Sequence, residues 1–155
     1  MELAQREGIV DTVDFYRGAA VLLLLRAPGC RGLQATQEGF LVNEAVYFEL
    51  KHCTSGKSRW TFNVTVKDLE RMGQNAAKGF PVFLGFVCGG DGVCVVPLGE
   101  VLDIAGPRGG WVAAARPYGR SYAVSGSAGR LTHKVPRSDW PRRLIEDGNG
   151  GHGDG

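Results

Sequence analysis

The sequence predicts one α+β domain in which a mixed central β-sheet carries a well-defined capped helix and is followed by C-terminal β-hairpins. Three observations predict this class: short apolar runs bounded by turn residues, one segment with strong helix-capping signals, and 24 glycines among 155 residues. A chain of this length is about the size of a single domain and buries a core without disulfide bonds. The frequent glycines favour short strands and tight turns over a helical bundle.

The N-terminal region contains the longest apolar run. Residues 2–15 fit a short helix or an extended segment, whereas residues 19–25 form a seven-residue apolar run that we expect to be a buried strand. A membrane-spanning helix needs about 20 apolar residues, so the sequence predicts no membrane partner. The first seven residues lack the order of a secretory signal. We therefore expect a cytoplasmic protein with reduced cysteines.

The next two predicted strands carry the first candidate site. Residues 40–42 and 45–48 flank the two-residue turn Asn43-Glu44, which predicts a hairpin. Side chains alternate between the two faces of a strand. Alternation along the second strand therefore places Tyr47, Glu49 and Lys51 on one face, with apolar residues on the other.

A polar loop, a short strand and a helix come next. Residues 54–58 are polar, and residues 59–64 alternate like a strand. Thr65 followed three positions later by Asp68 resembles a capping box, and Gly79 is a natural stop, so the helix is predicted between them. Its apolar stripe, which should pack on the sheet, consists of Val66, Leu69, Met72 and Ala76.

Two hairpins complete the predicted sheet. Residues 80–88 and 93–96 are continuous apolar runs around a glycine-rich turn, which predicts central strands. One or two helical turns over residues 98–104 precede a second hairpin, formed by residues 111–115 and 121–124. The pattern fades after Leu131, and the end of the chain is rich in glycine. We expect one domain over residues 1–147 and a disordered tail over residues 148–155.

Basic residues are concentrated in the second half, although the formal net charge is only +2. Residues 105–143 contain eight Lys or Arg residues and one acid, which fits either an anion-binding face or a solubilising surface. Cations contact phosphates and aromatic rings stack on bases. The candidate contacts for DNA or RNA are Lys57, Arg59, Trp60, Arg116 and Arg120, although a core position is the more usual one for Trp60.

The cysteines and the glycine-rich turn predict no further chemistry. The sequence has no C-x-x-C pair, and Cys88 and Cys94 fall inside apolar runs, so structural cysteines are favoured over a zinc site. Gly89-Gly90-Asp91-Gly92 lacks the Lys-Ser/Thr pair of a phosphate-binding loop and precedes a strand, so it is interpreted as a turn.

The Glu49-x-Lys51 motif, with the polar loop, capped helix and apolar strands that follow it, resembles the PD-(D/E)xK nuclease superfamily over roughly residues 19–104. The resemblance implies a restriction-endonuclease-like core and a metal-dependent phosphodiesterase. In that family the Glu-x-Lys carboxylate and an upstream acid hold Mg²⁺, and the lysine positions the attacking water. A Pro-Asp element is absent, and Glu38, eleven residues before Glu49, is the upstream acid selected by spacing.

Two functional hypotheses follow. The first is a Mg²⁺-dependent nuclease, with Glu49 and Lys51 as catalytic residues and Glu38 and Glu49 as metal ligands. The second is a non-catalytic α+β binding module, as a homodimer or a subunit of a larger assembly, in which Glu49 and Lys51 are ordinary surface charges of a strand. The convergence of Glu38, Glu49 and Lys51 in space distinguishes them.

Overall fold

The computed structural model describes residues 8–9, 11–55 and 58–150. These ranges contain four α-helices and nine β-strands, which confirms the α+β class. The helices are α1 (Thr12–Leu25), α2 (Val66–Ala77), α3 (Leu98–Ala105) and α4 (Asp139–Gly150). The strands are β1 (Leu33–Ala35), β2 (Phe40–Val42), β3 (Val46–Cys53), β4 (Trp60–Val64), β5 (Val82–Cys88), β6 (Gly92–Pro97), β7 (Gly110–Ala115), β8 (Ala123–Gly126) and β9 (Gly129–Arg130).

The first sheet is mixed and has five strands in the order β1-β2-β3-β5-β6. β3 and β5 run parallel, with Glu49 opposite Leu84, and the other neighbours are antiparallel. Parallel neighbours require a long crossover, which β4 and α2 supply. β5 lies between β3 and β6 and is buried along its whole length, as its continuous apolar run predicted.

The second sheet is antiparallel, with the order β4-β7-β8-β9. Along β4, buried Trp60, Phe62 and Val64 alternate with exposed Thr61 and Asn63. The ring of Phe62 packs on Phe86 of the first sheet, with 4.8 Å between the ring centroids. One face of the second sheet is therefore buried against the first, and the other face is open.

Two hydrophobic clusters cover the two faces of the first sheet. α2, α3 and the inner face of the second sheet pack on one face, and α1 and α4 pack on the other. Trp140 of α4 packs edge-on against Phe48, and its indole N–H donates to the carbonyl of Ala20 at 3.2 Å, so α4 is tied to α1. The face of β3 that carries Glu49 consequently lies under α2.

Local sequence signals are confirmed at the β2–β3 turn and at both ends of α2. Asn43 and Glu44 have φ angles of 55° and 57°, as expected for a two-residue hairpin turn. The Thr65 hydroxyl accepts from the Asp68 N–H at 3.0 Å, and the Asp68 carboxylate accepts from the Thr65 N–H at 2.9 Å. Gly79, with φ 100°, follows the end of the helix. The predicted stripe is only partly correct, because Leu69 and Met72 are buried whereas Val66 and Ala76 are exposed.

The strand predicted over residues 19–25 was wrong, because these residues form the second half of α1. A short apolar run fits a strand or a buried helix equally well. The signal for a helix lies before this run, at Asp11. The Asp11 carboxylate caps α1 by accepting from the Asp14 N–H at 2.8 Å. Residues 12–18 then extend the apolar run into a 14-residue helix.

α4 ends at Gly150, beyond residue 148, where the glycine-rich tail was expected to begin. Residues 151–155 lie outside the described ranges. Within the ranges that are described, no helix combines the length and the apolar character that crossing a membrane requires.

Candidate functional site

Glu49 lies in the middle of β3 with only 4% of its surface exposed. Arg71 of α2 donates from Nε to Oε2 and from Nη2 to Oε1, both at 2.7 Å. The Tyr47 hydroxyl donates to Oε2 at 2.5 Å. Burial and the hydrogen bond to Glu49 raise the pKa of Tyr47, so its hydroxyl keeps the proton that it donates. These bonds satisfy a buried carboxylate that would otherwise be costly to desolvate.

Asp68, at the start of α2, is the second buried carboxylate of the site. It accepts from Lys51 Nζ at 2.6 Å and from Arg71 Nη2 at 2.7 Å, in addition to its capping bond with Thr65. Burial acts to raise the pKa of Asp68, but the hydrogen bonds from Lys51, from the Thr65 backbone and from Arg71 outweigh it and lower the pKa to about 2. Asp68 is therefore ionised at neutral pH.

Tyr47, Glu49, Lys51, Asp68 and Arg71 form one network, here called the Glu49 cluster. Its two carboxylates are balanced by two cations, and each of the four carboxylate oxygens accepts at least one hydrogen bond. Alternation along β3 correctly placed Tyr47, Glu49 and Lys51 on one face. Arg71 was not identified from the sequence, because the crossover to α2 brings it onto β3 from 22 residues away.

Glu38 does not join the Glu49 cluster. It is exposed in the turn between β1 and β2, and no hydrogen bond or ion pair between described residues links it to Glu49. Continuing the β2–β3 register by one residue from Phe40 and Phe48 places Gly39 opposite Glu49. A Cβ at Gly39 would lie 2.6 Å from the Tyr47 hydroxyl oxygen, so the position facing Glu49 has no room for an acidic side chain.

The Glu49 cluster, as arranged, has two cations beside its two carboxylates, which leaves no net negative charge to attract Mg²⁺. A magnesium ion is held by carboxylate and water oxygens in near-octahedral geometry, so its ligands need free lone pairs. The Arg71 guanidinium bonds to both Glu49 and Asp68 and bridges their carboxylates. Throughout the described part of the chain, no group of three or more His, Cys, Asp or Glu side chains could hold a metal ion.

The residues predicted to contact nucleic acid have different environments. Trp60 is a core residue with 3% exposure, and its indole N–H donates to the Ser55 carbonyl at 2.9 Å. Arg59 is exposed on the outer face of the second sheet, and Arg120 is exposed after β7. Lys57 lies outside the described residues.

Arg116 is paired inside the protein. It donates from Nε and Nη2 to the Asp91 carboxylate at 2.8 and 2.7 Å, and the Tyr122 hydroxyl donates to the same carboxylate at 2.8 Å. The hydrogen bond from Arg116 is the main cause of the lowered pKa of Asp91. Arg137 also donates to the Asp91 carbonyl at 3.0 Å. Asp91 thus ties the β5–β6 turn to the second sheet and balances the charge of Arg116.

A basic groove of about 570 Å³ lies on the open face of the second sheet. Small residues of β7 and β8 line it, and its charged lining comes from Arg59, Arg130, His133 and Lys134. No acid in the described ranges forms an ion pair with Arg59, Arg130 or Lys134.

Trp111 provides an aromatic surface next to the basic groove. It is 40% exposed, and the guanidinium carbon of Arg59 lies 5.6 Å from the ring centroid. Asn63 of β4, which is exposed, is its cross-strand neighbour, so the ring belongs to the open face of the sheet. The sequence offered a weak signal for this face: Trp111 alternates with the small residues Ala113 and Ala115.

The Glu49 cluster and the basic groove differ in the groups that a ligand could contact. The hydrogen bonds of the Glu49 cluster are made within the protein, whereas the basic groove presents cations and small side chains to solvent.

Comparison of the chain with protein-family models, with curated proteins and with solved structures gave no match.

Proposed function

We propose that the protein is a non-catalytic nucleic-acid-binding domain that holds a single strand in the basic groove. The observation that carries the proposal is a set of cations that pair with no acid among the described residues, Arg59, Arg130 and Lys134, beside the exposed ring of Trp111. Such cations contact backbone phosphates, and an exposed aromatic ring stacks on a base. A single strand is specified because only an unpaired base is free to stack on a side chain.

The shape of the groove supports an extended ligand. Its lining contains Ala113 paired with Ser125 and Ala115 paired with Ala123, so small side chains stand side by side across β7 and β8. A sheet face with small side chains lets a ligand approach the backbone closely. Cations on two sides of this face then meet phosphates on either side of a stacked base.

The paired state of the Glu49 cluster supports the non-catalytic part of the proposal. A metal ligand or a general base needs a free lone pair at the reacting position. Glu49 accepts two hydrogen bonds from Arg71 and one from Tyr47, which fill most of the lone-pair sites of its carboxylate, and the positive charge of Arg71 beside it opposes the approach of a metal ion. Removing Arg71 from two buried carboxylates costs several kcal/mol, because buried charges lose their partner.

The order of the elements favours a second candidate, a Mg²⁺-dependent nuclease of the PD-(D/E)xK type. The resemblance implies a Glu-x-Lys strand followed by a helix and further strands, and β3, α2, β5 and β6 follow in this order. Glu49 and Lys51 also lie on the same face of β3, under α2. This candidate requires Arg71 to leave Glu49 and a further acid, such as Glu38, to approach it when substrate binds.

Binding is tested by fluorescence anisotropy with a labelled single-stranded oligonucleotide. We expect Arg59→Glu and Arg130→Glu each to weaken binding by about tenfold or more and to reduce its salt dependence, because a phosphate contact is lost. Trp111→Ala should weaken binding by roughly 5- to 100-fold through lost stacking. Lys67→Glu makes the same charge change on α2, outside the groove, and should change affinity by less than about twofold. Equal losses in the groove variants and in Lys67→Glu would contradict a specific groove.

Cleavage distinguishes the two candidates. Single- and double-stranded DNA and RNA are incubated with the protein and Mg²⁺, and the first proposal expects every substrate to remain intact. Glu49→Gln should leave binding in the basic groove unchanged once circular dichroism shows that it is folded. Mg²⁺-dependent cleavage that both Glu49→Gln and Lys51→Met abolish would replace the binding module by the nuclease.

A further inference from the structure

Two of the four cysteines lie directly opposite each other at the ends of neighbouring strands. Cys53 is the last residue of β3 and Cys88 is the last residue of β5, and the parallel register of these strands pairs them. Paired residues of neighbouring strands share a face of the sheet. Cys88 belongs to the hydrophobic cluster between the two sheets, and Cys53 packs against the same cluster. Both are free thiols.

The spacing suits a disulfide between Cys53 and Cys88 and no other pair. Neighbouring strands lie about 4.8 Å apart, within the range of roughly 4.4–6.8 Å that joins the Cα atoms of bridged cysteines. Cys94 is on β6, two strand spacings from β3. It is also diagonal to Cys88, because its register partner is Phe86, and diagonal neighbours lie about 7–8 Å apart. Cys30 packs on the opposite face of the sheet.

The surroundings of the two thiols give them different roles. Cys53 is partly exposed and is followed by two exposed residues, whereas Cys88 is 0% exposed. Burial is the main cause that raises the pKa of Cys88 to about 12, and its thiol donates to the Phe86 carbonyl at 3.4 Å. A protonated thiol is a poor nucleophile. A dissolved oxidant therefore meets Cys53 first, and Cys88 stands ready beside it as the second thiol.

We propose that Cys53 and Cys88 are a reversible disulfide site whose oxidant is a peroxide. In the first step the Cys53 thiolate attacks a peroxide oxygen, the O–O bond breaks, and Cys53 becomes a sulfenic acid while the other oxygen leaves as water after taking up a proton. In the second step the Cys88 sulfur bonds to the Cys53 sulfur. The sulfenic hydroxyl leaves with the proton of the Cys88 thiol as a second water. Two thiols lose two electrons, and the peroxide gains them.

The position of the pair at the end of the strand ladder favours a bridge that is easily reduced. The Cβ atoms of bridged cysteines lie about 3.8 Å apart, which is less than the strand spacing, so a bridge draws the strand ends together. The ladder closes here with the Gly89 N–H donating to the Cys53 carbonyl at 2.8 Å, and the two chains then leave in different connections. Disulfides under strain are the readily reduced ones. The proposal does not depend on the proposed nucleic-acid function.

Peroxide treatment of the folded full chain, followed by peptide mapping in a mass spectrometer, tests the site. We expect the main oxidation product to be a peptide that joins Cys53 to Cys88 within one chain, and reduced glutathione should open it. A bridge that uses Cys30 or Cys94, a link between two chains, or oxidation of Cys53 without a bridge would overturn the proposal. A bridge that glutathione leaves intact would overturn its reversibility.

Three serine variants, each shown by circular dichroism to be folded, test the two roles. Cys88→Ser should accumulate sulfenic acid at Cys53, with dimedone labelling about tenfold or more above wild type, because the second thiol is gone. Cys53→Ser changes a partly exposed position and should leave Cys88 reduced. Cys30→Ser is the matched control, because Cys30 is also partly exposed but lies on the opposite face of the sheet. It should form the bridge at the wild-type rate.

Two results with these variants contradict the assigned roles. Dimedone labelling of Cys53 that is the same in Cys88→Ser and wild type would show that Cys88 does not react with the sulfenic acid. Oxidation of Cys88 in Cys53→Ser at the rate seen in wild type would show that peroxide reaches the buried thiol directly. Either result would overturn the proposal.

Discussion

Arg71 neutralises two buried carboxylates with one planar group. Two of its N–H groups bond to Glu49, and Nη2 also bonds to Asp68. The hydrogen bond to Glu49 is the main cause of its raised pKa, so the charge of Arg71 is permanent. A lysine would lack this fork of donors and could not bridge the same oxygens. The Glu49 cluster therefore binds α2 to β3 as a fixed structural unit.

Asp68 gives the stability of the fold a defined pH dependence. Its pKa falls from 3.8 to about 2 on folding, so the ionised carboxylate stabilises the fold above the unfolded-state value. This contribution is lost as the pH decreases through the folded-state value. We expect Asp68→Asn to lower the free energy of unfolding by about 2 kcal/mol at pH 7, and by much less near pH 2.

Urea unfolding of both proteins across this pH range measures the difference. Asp103→Asn, a change at an exposed aspartate of α3, is the control and should follow wild type throughout. If Asp68→Asn lowered the free energy of unfolding by the same amount at every pH, the ion pairs of Asp68 would contribute nothing to stability.

The β2–β3 turn is the element that sets the surroundings of Glu49. Its two residues, Asn43 and Glu44, both have left-handed φ angles, and this tight turn fixes the register that brings Gly39 beside Glu49. The Asn43 side chain adds a clamp, because its Oδ1 accepts from the N–H groups of Arg31 and Gly32 at 2.6 and 3.2 Å. The turn thus determines which side chains can reach Glu49.

The backbone of Glu44 is strained in this turn. Its φ of 57° costs a residue with a Cβ about 1 kcal/mol, and glycine adopts this conformation freely. We expect Glu44→Gly to raise the free energy of unfolding by about 0.5 kcal/mol, the net result after the added flexibility of the unfolded chain. Thermal or urea unfolding measures the change. Glu38→Gly, at an exposed turn position outside the set of positive φ angles, should be neutral or destabilising, and equal effects of the two variants would rule out strain at Glu44.

The elements that the sequence predicted correctly are those whose signals are local. The Asn43-Glu44 turn, the Thr65–Asp68 capping box and the Gly79 stop each depend on residues within a few positions of one another. The run over residues 19–25 was misassigned because its helical state depends on a cap further upstream. The pairing of Glu49 with Arg71 has no periodic signal, because the crossover through β4 and α2 alone brings these residues together.

The basic groove is assembled from segments that are far apart in the sequence. Arg59 comes before β4, the lining of small residues comes from β7 and β8, and His133 and Lys134 come from the segment after β9. The concentration of basic residues in the second half fitted either an anion-binding face or a solubilising surface. Its position could not be predicted from the sequence, because the pairing of β4 with β7, which joins residues as far apart as Trp60 and Ala114, decides which cations share a face.

His133 makes the proposed binding depend on pH. Its Nδ1 contacts the Lys134 carbonyl and its Nε2 contacts Glu100, and these contacts raise its pKa. As the pH falls below this raised pKa, protonation adds a positive charge to the basic groove. We therefore expect tighter oligonucleotide binding at pH 6 than at pH 8, and little of this difference in His133→Asn.

Anisotropy titrations at constant ionic strength measure this pH dependence. His52→Asn is the control, because His52 lies on β3, outside the groove, where burial and Arg17 lower its pKa. It should keep the pH dependence of wild type. A pH dependence that persists in His133→Asn would assign the effect to another group.

The order of the layers places α1 and the basic groove on opposite sides of the molecule. α1 covers one face of the first sheet, and the second sheet, with its open face outward, covers the other. A strand held in the basic groove therefore lies on the side of the molecule opposite α1, and the two surfaces are available at the same time.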